Sequence, residues 1–209
     1  MNKVIEVNHP LVKHKLTIMR DKKTSTREFR QLAGEITGLL TFEATKHFET
    51  QEVDVETPVC PTKQEKCSGK KPAVISILRA GNGMLDGMLS VMPSARVGFV
   101  GLERDEETLV PRQYYYKVPQ HMNERHAIIV DPMLATGGSA ISTLDLLAKE
   151  NPKSMVFVCL VAAPKGIEAL QKAHPDVTIV AAAIDEKLNE NGYIVPGLGD
   201  AGDRIFGTL

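Results

Sequence analysis

Cysteine is scarce in this sequence, and no apolar run is long enough to span a bilayer. The three cysteines among 209 residues cannot form an even disulfide framework, so we expect reduced thiols in a reducing cytoplasm. Cys60 and Cys67 fit no common zinc spacing, and Cys159 lies inside an apolar run. No segment approaches the roughly 20 apolar residues of a membrane helix, and the N-terminus lacks the apolar core of a signal peptide. We therefore expect a soluble cytoplasmic protein without membrane contact.

The sequence also lacks a strong net charge and an internal linker. A formal net charge of -1 gives no general attraction to nucleic acid, so any anion site has to be local. No tract rich in proline, glycine or serine divides the chain, and no internal repeat is found. With 43% hydrophobic residues the chain can bury an ordinary core, and we expect a single domain over residues 1–209.

Short apolar runs alternate with helical patterns over most of the chain. The runs, rich in β-branched residues, are Ala73–Leu78, 95–100, 127–130, 155–163 and 177–184. Helical periodicity follows at 139–149 and at Pro164–Ala173, and the capping-box order of Ser25 and Glu28 begins an N-terminal helix. Continuous apolar runs are typical of strands that are buried on both faces. The sequence therefore predicts an α/β fold with a largely parallel central sheet and helices on both faces, together with an extended arm or hairpin over 108–118.

Asp131 ends one of these runs, and the residues that follow it lead through two glycines into a helix. The first turn of a helix has unpaired N–H groups and the positive end of the helix dipole, so a phosphate can bind there without a lysine. Gly137 and Gly138 let the backbone approach a ligand, and Thr136 and Ser139 offer hydroxyls. An ionised carboxylate accepts hydrogen bonds from hydroxyls and repels phosphate, so Asp131 should face a sugar. The loop therefore predicts a site for a ribose 5-phosphate.

Other readings of the glycine-rich segments have less support. An ordinary capped helix would explain the glycines of 131–139, but not an aspartate followed by proline at a strand end. Residues 197–202 match the dinucleotide string GxGxxG, yet they lie too close to the end of the sequence for a helix and a second strand to follow. Gly69 and Lys70 lack the upstream glycine and the following hydroxyl residue of a P-loop. We expect neither kinase nor dehydrogenase chemistry.

Several segments resemble the uracil phosphoribosyltransferase family. The loop 131–139, read as DPMLATGGS, is similar to the family's phosphoribosyl-diphosphate loop, and residues 78–81, read as LRAG, resemble its diphosphate loop. Residues 193–204, read as YIVPGLGDAGDR, resemble its uracil segment, and 9–16 resemble its opening, so the resemblance covers nearly the whole chain. Asn82 departs from the apolar residue of the family pattern, and the stretch 53–68 matches it poorly.

The resemblance implies the type I phosphoribosyltransferase fold, with a C-terminal base-binding segment. It implies transfer of ribose 5-phosphate from 5-phospho-alpha-D-ribose 1-diphosphate (PRPP) to uracil, giving UMP and diphosphate in pyrimidine salvage. The residues assigned catalytic roles are Arg79, Asp131 and Asp200. Those expected to bind PRPP are Arg79, Arg104, Asp131, Pro132, Met133, Leu134, Ala135, Thr136, Gly137, Gly138, Ser139 and Asp200. Those expected to bind uracil are Ile194, Gly199, Asp200 and Ala201.

Two arginines are expected to stabilise the charge that develops on the leaving diphosphate. Arg79 follows an apolar run, where an unpaired charge would be costly, and this favours a binding role. Arg104, flanked by Glu103 and Asp105, could instead form a surface ion pair. Mg²⁺ is expected to arrive on the phosphates of the substrate and not at a metal site of the protein, because the sequence offers no cluster of carboxylates.

The expected partners are the two small substrates, with GTP as a further effector that the family resemblance suggests. The tyrosine run 114–116 in the extended arm suits a subunit contact or a lid, and a subunit contact would give a homodimer or a larger homo-oligomer; we expect neither nucleic acid nor membrane as a partner. Three alternatives remain: a purine or orotate phosphoribosyltransferase, a pyrimidine-sensing regulator that binds RNA, and a catalytically silent binding domain. The C-terminal segment argues against a purine or orotate enzyme. The net charge argues against an RNA-binding regulator, and the presence of Arg79 and Asp131 argues against a silent binding domain.

Overall fold

The computed structural model of the protein describes residues 3–104 and 111–208, with the side chains of Arg104 and Pro111 left undescribed. In chain order its elements are β1 (Val4–Glu6), α1 (Pro10–Arg20), α2 (Thr26–Ala44), β2 (Thr50–Glu56), β3 (Pro61–Cys67), β4 (Ala73–Leu78), α3 (Asn82–Val91), β5 (Arg96–Arg104), β6 (Pro111–Lys117), a 3₁₀ turn (Met122–Glu124), β7 (His126–Val130), β8 (Met133–Leu134), α4 (Gly138–Ala148), β9 (Ser154–Ala162), α5 (Pro164–Ala173), β10 (Thr178–Ile184), β11 (Lys187–Leu188), β12 (Ile194–Val195) and α6 (Ala201–Phe206).

The central sheet has the strand order β1-β10-β9-β7-β4-β5-β6, and β8 extends it beside β9. Neighbouring strands are parallel except β5 and β6, which are antiparallel. The five predicted apolar runs are the strands β4, β5, β7, β9 and β10, although β5 continues beyond the predicted run to Arg104. The predicted α/β class with a largely parallel sheet is confirmed.

Alternate residues of each central strand enter two separate cores. On β4, Val74 packs with apolar side chains of α1, α2, α3 and α6, whereas Ile75 belongs to the core beneath α4 and α5. Each fully buried side chain of this size contributes roughly 1.5–3 kcal/mol, so both faces of the sheet need their helices. The prediction of helices on both faces is therefore confirmed. It also follows that ligand loops gather at the carboxyl ends of β4, β7, β9 and β10.

Helix α2 packs closely against α3, the helix that begins beside the diphosphate loop. Ser25 caps α2, because its side chain accepts a hydrogen bond from the N–H of Glu28 at 3.3 Å. A Cβ added at Gly87 of α3 would lie 1.9 Å from the carbonyl oxygen of Gly34 in α2, so only glycine permits this approach. The packing of α2 on α3 thereby fixes the position of the α3 N-terminus.

The stretch 53–68, which matches the family pattern poorly, lies mainly in an antiparallel hairpin of β2 and β3. Most residues of both strands are exposed. Cys60 lies in the turn and Cys67 at the far end of β3, roughly 20 Å away at the rise of an extended strand, so the two thiols cannot pair within one hairpin.

Of the predicted arm 108–118, residues 111–117 form the edge strand β6, and residues 108–110 lie outside the described part of the chain. Within residues 3–104 and 111–208, no helix combines the length and the apolar character needed to cross a membrane.

Candidate active site

The loop between β7 and α4 is held by main-chain hydrogen bonds to β9. The N–H of Asp131 donates to the carbonyl oxygen of Val158 at 3.2 Å. The carbonyl oxygen of Pro132 accepts from the N–H of Leu160 at 2.9 Å, and β8 then pairs with the end of β9. These bonds join the loop to the centre of the sheet, so its path is fixed by the most buried part of the fold.

Two close backbone contacts shape the start of α4. Gly137 is the N-cap with φ +88°, a conformation that favours glycine, and no described side chain caps this helix by a hydrogen bond. A Cβ on Gly166 of α5 would lie 2.6 Å from the carbonyl oxygen of Ala135, so glycine at 166 allows α5 to support the loop. The N–H groups of the first turn of α4 have no intrahelical acceptors, which is the geometry that the predicted phosphate site requires.

The nine predicted loop residues differ in what they can offer a ligand. Thr136 and Ser139 are exposed; Asp131, Met133, Ala135 and Gly138 are partly exposed; Pro132, Leu134 and Gly137 are buried. The side chain of Leu134 belongs to the core beneath α4 and α5. Pro132 and Leu134 can therefore reach a ligand only through their main-chain atoms, whereas Thr136 and Ser139 can use their hydroxyls.

Asp131 is ionised only at an energetic cost. Although part of the residue is exposed, burial of its carboxyl group raises the pKa to about 7, and a hydrogen bond from the N–H of Met133 lowers it in part. On the adjacent strand, burial and then the charge of Asp131 raise the pKa of the Cys159 thiol far above its usual value. A carboxylate in this environment gains from any ligand that donates hydrogen bonds to it, as the hydroxyls of a sugar do.

The predicted diphosphate loop turns tightly against β7. Gly81 follows the turn, and a Cβ there would lie 2.4 Å from the carbonyl oxygen of Val130. Arg79 is exposed, with 63% of its side chain accessible, and its Nη2 lies 3.6 Å from Oδ1 of Asp203. The argument that Arg79 occupies an apolar environment is therefore wrong, because its side chain leaves the strand end and points into solvent. Its position beside the loop is what remains to support a binding role.

The departure at Asn82 has a structural reason. Asn82 is the first residue of α3, and its Oδ1 accepts a hydrogen bond from the hydroxyl of Ser76 at 3.3 Å. Ser76 is fully buried in β4. An apolar residue at position 82 would remove this acceptor from a buried hydroxyl, which is costly.

Arg104 is the last residue of β5, and its main chain pairs with Pro111 of β6. The side chain of Arg104 and residues 105–110 lie outside the described part of the structure. Its neighbour Glu103 lies 3.9 Å from Nε of Arg112. The predicted contact of Arg104 with PRPP therefore stays a prediction.

The predicted uracil segment is a compact turn that precedes α6. Ile194 and Ala201 are buried, whereas Gly199 is exposed with φ +69°. The peptide bond between Val195 and Pro196 is cis. A short helix, α6, follows residues 197–200, contrary to the expectation that no helix could follow them, and no strand follows α6 within the described residues up to 208.

Asp200 has a structural role that the sequence does not reveal. It is the N-cap of α6, and its Oδ1 accepts a hydrogen bond from the N–H of Asp203 at 2.9 Å. The residue that faces Arg79 is Asp203, which the predicted site does not include. Its place in the GDAGDR string is the only signal that could have identified it.

The loops after β4 and β7 and the C-terminal segment meet at one edge of the sheet. Gly81 touches the end of β7, while a Cβ on Gly202 would be 3.7 Å from Cβ of Ala80. A Cβ on Gly83 would be 2.7 Å from Cδ1 of Ile205 in α6. Three segments that are distant in sequence thus form one candidate site, as strands of this topology require.

Two further arginines brace the C-terminal segment, and neither belongs to the predicted site. Arg20 binds both Asp185 and the carbonyl oxygen of Gly197. Arg204 donates to the carbonyl oxygen of Leu198 at 3.0 Å and to that of Asp21 at 2.6 Å. Arg20 and Asp185 are 165 residues apart, so no local pattern could have joined them.

No group of three or more potential metal-binding side chains occurs among the described residues. Three carboxylates lie near the candidate site: Asp131 after β7, and Asp200 and Asp203 at the start of α6. This donor set fits a magnesium ion that is bound mainly by substrate phosphates and water.

Comparison with known sequences identifies close relatives of the whole chain. The family model for uracil phosphoribosyltransferase matches residues 6–208. The uracil phosphoribosyltransferase of Clostridium beijerinckii is 59% identical over 208 residues, covering 100% of both chains. That of Anoxybacillus flavithermus is 57% identical over the same length and coverage.

Comparison with solved structures gives the same fold. The AQ2163 protein from Aquifex aeolicus superposes with a TM-score of 0.92 at 37% identity, covering 97% of each chain. A hypoxanthine-guanine phosphoribosyltransferase from Bacillus anthracis superposes with a TM-score of 0.50 at 12% identity, over 77% of this chain and 80% of the other. The second likeness concerns the fold alone.

Proposed function

The chain belongs to the uracil phosphoribosyltransferase family, and from that membership we propose which of its residues carry out each part of the reaction. The enzyme transfers the ribose 5-phosphate unit of PRPP to uracil, giving UMP and diphosphate. We further propose that residues 1–209 act as one phosphoribosyltransferase domain. The single observation that carries the residue assignments is the meeting of the loops after β4 and β7 with the C-terminal segment.

The loop 131–139 is proposed to bind the ribose 5-phosphate. Main-chain N–H groups of residues 136–139 would donate to the 5-phosphate at the positive end of α4, and the hydroxyls of Thr136 and Ser139 would add two donors. Asp131 would accept hydrogen bonds from the ribose hydroxyls, since its burial favours a partner that donates. The phosphate and the sugar would then be bound at opposite ends of one loop.

The leaving diphosphate is assigned to the turn after β4. Arg79 would donate charge-assisted hydrogen bonds to it, and Arg104 is proposed to do the same from the end of β5. The Arg79 side chain is 63% accessible, and its described ionic partner, Asp203, lies 3.6 Å away, so this weak ion pair would cost little to break when diphosphate binds. Mg²⁺ bound to the substrate phosphates would neutralise part of the diphosphate charge, and Asp131 and Asp200 are the residues proposed to hydrogen-bond to its water ligands.

Uracil presents an acceptor, a donor and an acceptor along one edge. Main-chain groups at Ile194, Gly199 and Ala201 are proposed to match this order, with Asp200 beside them. Cytosine would place a donor against a donor, and an unpaired buried polar group costs about 1–3 kcal/mol. Correct placement of the two bound substrates can supply up to roughly 7–11 kcal/mol of the barrier reduction.

The test is release of diphosphate from PRPP with magnesium and each of uracil, cytosine, orotate, hypoxanthine and adenine. We expect uracil to give the highest kcat/KM, because the main chain of the C-terminal segment matches its edge. Equal or greater activity with a purine or with orotate would overturn the assignment of base specificity to 193–204.

The remaining proposals concern the assembly and its setting. We propose a homodimer or larger homo-oligomer in the cytoplasm, supported by Tyr114 and Tyr115, which are exposed on the edge strand β6. GTP as an effector follows from the family resemblance alone. A mass measurement in solution tests the oligomer, and initial rates with and without GTP test the effector.

A further inference from the structure

Arg20 and Asp185 form a largely buried ion pair beneath the C-terminal segment. Arg20 ends α1, and Asp185 directly follows β10. Nη1 of Arg20 lies 2.8 Å from Oδ2 of Asp185, and Nη2 lies 2.6 Å from Oδ1. Only 5% of the Asp185 side chain is accessible, so losing its partner would leave a buried carboxylate uncompensated. The pair is therefore a fixed point of the structure rather than a flexible surface contact.

This ion pair holds Gly197 through both of its peptide groups. The N–H of Gly197 donates to Oδ2 of Asp185 at 2.9 Å. The carbonyl oxygen of Gly197 accepts from Nη1 of Arg20 at 2.8 Å. Both bonds are charge-assisted, which makes them stronger than bonds between neutral groups. The orientation of the turn at Gly197 is thus set by two side chains outside the segment.

The position of Gly197 in turn fixes Ile194. A Cβ on Gly197 would lie only 2.0 Å from the carbonyl oxygen of Ile194, and Gly197 has φ +65°. The two residues are therefore in backbone contact, and neither can move far without the other. Ile194 is one of the residues proposed to contact uracil, so the ion pair acts on the base site through one intermediate residue.

Asp185 also connects the base site to the ribose loop. Its N–H donates to the carbonyl oxygen of Ala162 at 2.8 Å. Ala162 pairs with Leu134 of the ribose loop, and the N–H of Ala163 donates to the carbonyl oxygen of Leu134 at 2.9 Å. The end of β9 is thus hydrogen-bonded to the ribose loop on one side and to Asp185 on the other.

We propose that Arg20 and Asp185 are positioning residues that set the placement of uracil relative to the anomeric carbon of PRPP. The inference rests on the proposed assignment of Ile194, Gly199 and Ala201 to uracil binding. Reaction between two bound substrates depends steeply on their separation, and a misplacement of about 1 Å can cost roughly a hundredfold in rate. An ion pair that links the base segment to the ribose loop controls that separation.

The test uses Arg20→Lys and Asp185→Asn in the full-length protein. Lysine keeps the charge but lacks the planar fork that binds Asp185 and Gly197 together. Asparagine places an amide donor against the guanidinium donors of Arg20. For both variants we expect kcat to fall and the KM for uracil to rise, so that kcat/KM for uracil decreases by about tenfold to a hundredfold, and we expect the preference for uracil over cytosine to fall. The KM for PRPP should stay within about twofold, because the ribose loop keeps its own bonds to β9.

Lys15→Met is the matched control. It breaks the ion pair between Lys15 and Glu35, which also joins α1 to a neighbouring element at 2.5 Å but does not touch the C-terminal segment. Both KM values should match those of the unmodified protein. Titration with PRPP and thermal unfolding report whether each variant is folded, and if Asp185→Asn does not fold, Arg20→Lys decides the question.

Gly199→Val tests the assignment of the uracil site independently of the positioning role of Arg20 and Asp185. Valine at φ +69° is strained, so this change should disturb uracil binding whatever Arg20 does. If Gly199→Val raises the KM for uracil while Arg20→Lys and Asp185→Asn do not, the positioning role is overturned and the base-site assignment stands. If none of the three variants changes the KM for uracil, both proposals fail. A rise in the KM for PRPP equal to that for uracil in the ion-pair variants would also overturn the inference.

Discussion

Gly81 of the diphosphate loop lies directly against the carbonyl oxygen of Val130, the residue before Asp131. A Cβ added at Gly81 would be 2.4 Å from that oxygen and 2.7 Å from the carbonyl oxygen of Ile77. Both atoms are backbone, so no side-chain rotation could relieve the overlap. The loop proposed to hold the diphosphate and the loop proposed to hold the ribose are therefore in direct backbone contact, and only glycine at position 81 allows so close an approach.

Replacing Gly81 by alanine should force these two loops apart. We expect Gly81→Ala to lower the free energy of unfolding by about 1–3 kcal/mol and to raise the KM for PRPP. Urea unfolding and steady-state kinetics measure the two effects. The control is Gly34→Ala in α2, where the added Cβ would be 3.8 Å from its nearest neighbour, the backbone nitrogen of Gly87 in α3, which is an ordinary van der Waals distance. Equal losses in both variants would contradict the role of the contact at Val130.

Asp131→Asn should reduce activity far more than stability. The loss of a charged acceptor for the ribose hydroxyls should lower kcat/KM by about 10- to 150-fold. Because burial raises the pKa of Asp131 from 3.8 to about 7, the folded protein binds more protons than the unfolded chain between these values. Ionising Asp131 therefore costs stability as pH rises from about 4 to 7, and the asparagine variant escapes this cost.

The measurement for Asp131 is the free energy of unfolding at pH 5 and pH 8, together with kcat/KM. The variant should gain stability relative to the unmodified protein as pH rises. Asp145→Asn is the control, because that carboxylate lies at the exposed surface of α4, and its kinetics should be unchanged. Full turnover in Asp131→Asn would remove Asp131 from the active site.

The sequence reveals those parts of the fold whose burial is continuous. Strands β4, β7, β9 and β10 are apolar on both faces, so they stand out without any partner information. The hairpin of β2 and β3 is exposed on both faces, and its composition carries no burial pattern to detect. Helix α3 has no clear helical pattern in the sequence because two glycines interrupt it. Glycine is required at position 87 by the close approach of α3 to Gly34 of α2.

Some features of the candidate site could likewise be predicted from the sequence, whereas others could not. The ribose loop is local, so its aspartate, glycines and hydroxyls could be read from consecutive residues. The exposure of Arg79, the capping role of Asp200 and the ion pair of Arg20 with Asp185 depend on contacts between segments that are far apart in sequence. Such contacts follow from tertiary packing, which periodicity and local motifs do not encode.

His47 and His126 should make the protein less stable in mild acid. Both rings contact the hydroxyl of Ser154, at 3.0 Å and 2.8 Å, at the end of the sheet where β7 and β9 begin. Burial lowers the pKa of both histidines, and the nearby charge of His47 lowers that of His126 further. With folded pKa values below about 6.5, the unfolded chain binds more protons as pH falls through that value. The free energy of unfolding should therefore decrease.

Replacing both histidines by glutamine should flatten this pH dependence. Urea unfolding at pH 7.5 and pH 5.5 gives the slope for the unmodified protein and for the variant with His47→Gln and His126→Gln. His14→Gln changes an exposed histidine of α1 and serves as the control. An unaltered slope in the double variant would show that other groups control acid stability.

The three cysteines should react with a thiol reagent in two distinct phases. Cys60 and Cys67 are exposed, whereas Cys159 is buried and burial raises its pKa, which suppresses the reactive thiolate. We expect two thiols to react rapidly in the folded protein and the third only in denaturant. Cys159→Ala should retain both rapid thiols, and rapid reaction of all three in the unmodified protein would contradict the buried position of Cys159.

A crystal structure of the protein with UMP bound tests the central claim most directly. The phosphate should accept hydrogen bonds from main-chain N–H groups within 136–139, and the carboxylate of Asp131 should accept from the ribose hydroxyls. The uracil ring should face the main chain of Ile194, Gly199 and Ala201. A nucleotide bound elsewhere, or bound with its phosphate away from the start of α4, would contradict the account.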